Sequence, residues 1–194
     1  MQVEHIVMKK ILWSGEHLGA YLWDGKEMGA EVSLYRVIWS PEGTGFIAFI
    51  RFSEKTKLTA MNGIYTDNKK VSDYMTSYVL KKGKPPDNIV NVISFPIHNA
   101  VCERKNNLPC SLVEEIINED NLLGFKWHGL EGLKYYKPEK KENLSVSYSF
   151  LAGKVNVAEI YVQNKLILRT DFNSTSYGTV STAFIGLSEI WFED

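Results

Sequence analysis

Ser111-Leu-Val-Glu-Glu-Ile-Ile117 is the stretch on which the fold class turns. Read as a helix, it opens with a capping box: the Ser111 hydroxyl bonds one orphan amide and the Glu114 carboxylate reaches back to another. Leu112, Val113, Ile116 and Ile117 then make a buried stripe, and Gly124 supplies a stop. With this helix in place the chain is expected to be α+β. The expectation is a largely antiparallel sheet of about six to eight strands carrying two or three helices.

A first helix is expected upstream. From Asp67 to Lys82, Val71, Tyr74, Met75, Tyr78 and Val79 share one helical face. Thr66 or Asp67 can cap it, Lys81 and Lys82 suit its carboxyl end, and Gly83 with Pro85-Pro86 stops it. Residues 179–192 are open to two readings: Val180, Phe184, Leu187 and Trp191 have helical spacing, which favours a third helix, while the Thr, Phe, Ile and Trp content would also make a strand.

The remainder reads as strands. Leu18–Trp23 ends at the hairpin dipeptide Asp24-Gly25. Val32–Trp39 and Phe46–Phe52 flank the turn Ser40-Pro-Glu-Gly-Thr-Gly45. Phe46–Phe52 is apolar on both faces and so expects cover on both. Leu58–Tyr65 and Ile89–Ile97 add further strands. Val146, Tyr148 and Phe150 alternate with serines, the pattern of a strand buried on one face only. Val155–Val162 and Leu166–Leu168 continue the meander, with 98–110 and 124–143 as irregular connections. A single domain is expected, with meander-plus-helix halves at about 11–97 and 98–194.

Composition narrows the function classes. A net charge of −1 argues against a protein held to nucleic acid by bulk positive charge. The 44% hydrophobic content argues against disorder. No apolar run suits a membrane-spanning helix, and Met1–Trp13 lacks the basic-then-apolar order of a secretory signal. A cytoplasmic location with no membrane partner is therefore expected, and both cysteines are expected as free thiols. The sequons at Asn143 and Asn173 carry little weight without export.

Several clusters carry chemistry in principle. His98, Cys102, Cys110 and His128 are ligand types that zinc prefers, but they lack the close CxxC pair of zinc modules. The same residues include a Cys–His nucleophile, Cys110 standing just before the Ser111 cap. Asp24, Asp67, Asp73 and Asp171 lie at element ends, where carboxylates hold Mg²⁺ or Mn²⁺ or simply bond turn amides. The order of antiparallel strands, helix and strand across residues 18–97 resembles the ribonuclease H-like fold. That resemblance implies a metal-dependent nuclease or phosphotransferase acting on nucleic acid through those four aspartates. Asp73 stands where the family's first helix offers a glutamate. No GxGxxG, P-loop, HExxH or GxSxG is present.

Aromatic residues give the leading expectation. Phe125–Tyr136 mixes aromatics, His128 and two glycines outside clear periodicity, as a site-bearing loop does. The chain is thus expected to be a non-enzymatic binding or interaction domain. Its aromatic pocket would centre on Trp23, Trp127, His128 and Tyr135, taking a small molecule or protein partner without a favoured cofactor. A homodimer burying strand 46–52 is the structural alternative.

Overall fold

The computed structural model describes residues 9–24, 27–82, 95–119, 121–137, 146–171 and 182–193. Its first strands are β1 (Lys10–Asp24), β2 (Glu27–Trp39), β3 (Gly45–Phe52) and β4 (Gly63–Thr66). The helix follows: α1 (Lys69–Tyr74) widens into a π turn at Met75–Val79 and ends over Leu80–Lys82. Beyond it lie β5 (Ile97–Asn99), β6 (Val101–Asn107), β7 (Ser111–Ile117), β8 (Leu122–Tyr136), β9 (Val146–Val162), β10 (Lys165–Asp171) and β11 (Thr182–Glu193).

The eleven strands form one sheet in the order β5-β4-β3-β2-β1-β11-β9-β8-β7-β6, with β10 beside β9. The two ends of that path, β5 and β6, are consecutive in the chain, joined through Ala100, whose N–H bonds the Thr66 carbonyl at 2.9 Å. The sheet therefore returns on itself as a nearly closed barrel. Near-closure brings the two end strands of the path together, while among the described residues β10 pairs with β9 alone.

This architecture corrects the α+β expectation: the described protein is mostly β, with one helix. Ser111–Ile117 is strand β7, in which Leu112, Glu114 and Ile116 are buried and the residues between them are not. The capping-box reading fails because Glu114 is an inward-facing strand residue. Residues 182–193 of the expected third helix are strand β11, while 179–181 lie outside the described residues. Phe125–Tyr136 is strand rather than loop, and 98–110 contains β6 and most of β5. Ser147 and Ser149 are as buried as their apolar neighbours, so β9 is covered on both faces there. Residues 89–94 of the expected strand Ile89–Ile97, both sequons' asparagines and Gly25 lie outside the described residues.

The long strands stack inward-facing residues in layers. Paired positions across β1, β2 and β3 run Leu22–Ala30–Phe52, Ala20–Val32–Ile50, Leu18–Leu34–Ala48 and Glu16–Arg36–Phe46. The opposite wall supplies Leu112, Ile116, Leu123, Phe125, Trp127 and Ile160 to the same core. Trp127 on β8 donates its indole N–H to the Gly19 carbonyl on β1 at 3.0 Å. Since β1 and β8 are not neighbours in the sheet, this bond crosses the barrel, whose interior is packed at that level.

A second apolar cluster lies on the other face of β1–β4. Val71, Met75, Val79 and Leu80 of the helix cover Trp13, Tyr35, Val37, Ile47, Phe49 and Ile64. The helix and the barrel core thus give β3 the two-sided cover its sequence called for, which removes the reason for a dimer across 46–52. The helix forms where its 3.6-residue stripe requires it, but its cap is Asn68. The Asn68 Oδ1 accepts from the Lys70 and Val71 amides. Thr66 instead donates to the Phe46 carbonyl, and Asp67 accepts from the Phe46 amide. Asn68→Ala is expected to lower the unfolding free energy by about 1 kcal/mol in urea denaturation; an unchanged midpoint would show that the cap contributes nothing.

Candidate functional site

The fourth interior layer breaks the apolar pattern. Arg36 follows Val32 and Leu34 on the inward row of β2, and Glu16 precedes Leu18 on that of β1. On the far wall, Glu114 sits between Leu112 and Ile116 with Arg104 of β6 directly opposite. Two residues from Arg104, Cys102 faces the same space. Strand alternation sets Arg36, Cys102, Arg104 and Glu114 on inward rows, and Glu16, beside an irregularity in the β1–β11 pairing, stands opposite Arg36.

Glu114 is the hub and is fully buried. Its Oε1 accepts from Arg36 Nε at 3.0 Å and Arg104 Nε at 2.5 Å. Its Oε2 accepts from Arg36 Nη2 at 2.5 Å and from the Cys102 thiol at 3.3 Å. Arg104 Nη1 reaches Glu16 Oε2 at 2.6 Å. Arg36 comes from β2, which is no neighbour of β6 or β7, so the cluster ties opposite walls together. Two guanidinium groups against two carboxylates make it neutral, as burial demands.

The site is not sealed. The side chains of Arg36, Arg104 and Glu16 keep 27%, 20% and 23% of their surface exposed, so solvent reaches part of the cluster. One donor is left over: Arg104 Nη2 is buried and has no hydrogen-bond partner among the described residues. Burial tends to lower the Arg36 pKa, but bonding to Glu114 outweighs it and raises it. Burial and then Glu114 push the Cys102 thiol well above its ordinary range, against the pull of Arg36. Cys102 is therefore a neutral donor here, unlike an activated nucleophile.

A different polar group lies on the outer face. His17 Nδ1 is 3.0 Å from Glu189 Oε2, and its Nε2 is 2.8 Å from Ser33 Oγ. These are acid–base triad distances. Ser33, however, is fully buried in mid-strand, and its backbone lies between Gly19 and Phe49 of the paired strands. The geometry offers neither access for an acyl group nor spare amides for an oxyanion. The Tyr35 ring stacks on His17 at 4.1 Å, and the group serves to join β1, β2 and β11.

The residues singled out from sequence are scattered. Trp127 is buried inside the barrel, whereas His128, next along the strand, bonds Glu159 at 2.9 Å on the other face. Burial pushes Glu159 up, yet hydrogen bonds from His128 and Tyr161, with Arg169 nearby, hold it below the usual carboxylate range. Tyr135 is exposed, and Trp23 lies half-buried near the end of β1. His98 stacks on Tyr65 at 4.8 Å, while Cys110 is exposed at the β6–β7 turn. Asp67 holds the Phe46 amide, Asp73 pairs with Lys69, and Asp171 ends β10. Asp24 ends β1, its side chain lying outside the described residues. Among the described residues no group of three or more His, Cys, Asp or Glu is placed to hold a metal ion.

Sequence reasoning missed Glu16, Arg36, Arg104 and Glu114. The available signal was period-two continuation: each charge occupies an inward slot on its strand. Comparison of the chain with protein-family models, with curated proteins and with solved structures gives no match.

Proposed function

We propose that the chain is a non-enzymatic binding protein whose charged cluster takes a small monocarboxylate between Arg36 and Arg104. The observation that carries this reading is the buried, unpartnered Arg104 Nη2 in a cluster that reaches solvent. A guanidinium fork with a spare N–H is matched to a carboxylate oxygen, and burial strengthens the charge-assisted bond. A phosphate dianion suits the place less well, because it would add two negative charges rather than one to a cluster that is already neutral. The ligand must be small, since Trp127 and its Gly19 bond close the interior behind the cluster.

Isothermal titration with short monocarboxylates against their amides tests this. Saturable binding of the acid and none of the amide is expected. Arg104→Lys keeps a cation but loses the fork, and is expected to weaken binding about tenfold or more. Equal binding of acid and amide, or full affinity in Arg104→Lys, would defeat the reading.

A further inference from the structure

The sheet face that carries Arg36 and Glu16 continues outward past them. Trp13 and His17 of β1 both lie against Tyr35 on the outer face, so Ser14 and Glu16 between them share the opposite one. Both neighbours of β1 gain a residue here, which sets Trp39 of β2 and Ile190 of β11 directly opposite Ser14. On β11 the added step is Leu187–Ser188, opposite Glu16, and Leu187 packs against the barrel core. Because cross-strand partners share a face, two rows lie side by side: Arg36–Glu16–Leu187 and, one step out, Trp39–Ser14–Ile190. The first carries charge; the second sets a hydroxyl between two large apolar side chains. Trp39 is 46% exposed, and Ser14 and Ile190 are half-buried.

We propose that the acid taken by this site is a straight-chain one of about six carbons, its tail lying outward from Arg104 along the trough floored by Ser14. The proposal rests on the carboxylate reading above. Arg104 Nη1 bonds Glu16, so the unpartnered Nη2 of the same guanidinium stands beside the charged row. Trp127 and its Gly19 bond close the way inward, which leaves a tail only the outward face. Strands lie about 4.8 Å apart, so the β2 and β11 backbones stand roughly 10 Å from each other, and Trp39 and Ile190 narrow that gap to about one alkyl chain. Two residues of strand cover about 7 Å, the reach of roughly five carbons beyond the carboxylate. A branched or aryl acid is too wide for this trough. A second carboxylate at the end of the tail would meet Trp39 and Ile190 in place of water, which disfavours a dicarboxylate.

Isothermal titration of the full chain with acetate, butanoate and hexanoate reads the tail separately from the head. Affinity should rise about twofold per methylene, the gain from half-burying each one, so hexanoate should bind about tenfold more tightly than acetate. Benzoate and hexanamide should both bind more weakly than hexanoate. Ser14→Leu fills the trough and Trp39→Ala removes one wall, and each should cut the hexanoate-to-acetate ratio to about twofold or less. Unchanged circular dichroism and melting midpoint would separate a lost trough from lost folding, and Trp39, at the exposed end of β2, is the safer of the two positions. Hexanoate no tighter than acetate in the wild type would overturn the tail while leaving the Arg36–Arg104 site standing; failure of every acid to bind would remove both. A ratio unchanged in folded Trp39→Ala, or benzoate binding as tightly as hexanoate, would also overturn the proposal.

Discussion

Glu114→Gln is expected to be among the most destabilising single substitutions in the chain. Two guanidinium groups converge on this fully buried carboxylate, at 2.5–3.0 Å from its oxygens. Glutamine keeps the shape but removes the charge, and its NH₂ group confronts N–H donors. Arg36 and Arg104 then remain partly desolvated with only Glu16 to answer them. Breaking a buried ion pair from one side costs about 3–5 kcal/mol. Chemical denaturation should show that loss as a lower midpoint with an unchanged slope, meaning that the same surface is exposed on unfolding. Replacing Glu114, Arg36 and Arg104 together by apolar residues of similar volume should cost less than Glu114→Gln, because no orphan charge remains. A Glu114→Gln protein within about 1 kcal/mol of wild type would mean that the arginines satisfy themselves without the hub.

Trp127→Ala is the second large effect. The indole is among the largest fully buried side chains and spans the core from β8 to Gly19. Its removal leaves a cavity bounded by opposite walls of the barrel, which a closed hydrogen-bonded sheet cannot collapse to fill. A loss of about 3–5 kcal/mol is expected for such a truncation. Trp127→Phe should cost less: it retains most of the volume but leaves the Gly19 carbonyl without its indole donor. Thermal and chemical unfolding of the two variants should rank them in that order. Equal stability of both with wild type would show that the cross-barrel contact holds nothing.

The parts of the fold legible in sequence were those where one periodicity stood alone. The helix over Lys69–Lys82 was readable because Val71, Met75 and Val79 repeat at four-residue steps and a Gly-Pro-Pro-bearing segment follows. The β2–β3 hairpin was readable from its β-branched runs and its Pro/Gly turn. Residues 111–117 were not. With Glu114 read as a capping-box carboxylate, Leu112, Val113, Ile116 and Ile117 fit a helix better than a strand, and only the nearly closed barrel supplies the arginines that neutralise Glu114 inside. In β11, Phe184 and Trp191 contact the outer aromatic rings while Ile185 joins the barrel core, so both faces are apolar and period two is masked. The charged site was hidden for a related reason. Arg36, Arg104 and Glu114 meet across opposite walls, and nothing local in the sequence encodes which walls close on one another.

The most direct test of a carboxylate site between Arg36 and Arg104 is side-chain nitrogen NMR of the arginines during titration with a short monocarboxylate. The Nε–Hε resonances of Arg36 and Arg104 should shift together and saturate, with the Arg51 and Arg169 signals unmoved and no response to the matching amide. Shifts elsewhere with those two resonances static, or identical responses to acid and amide, would contradict it.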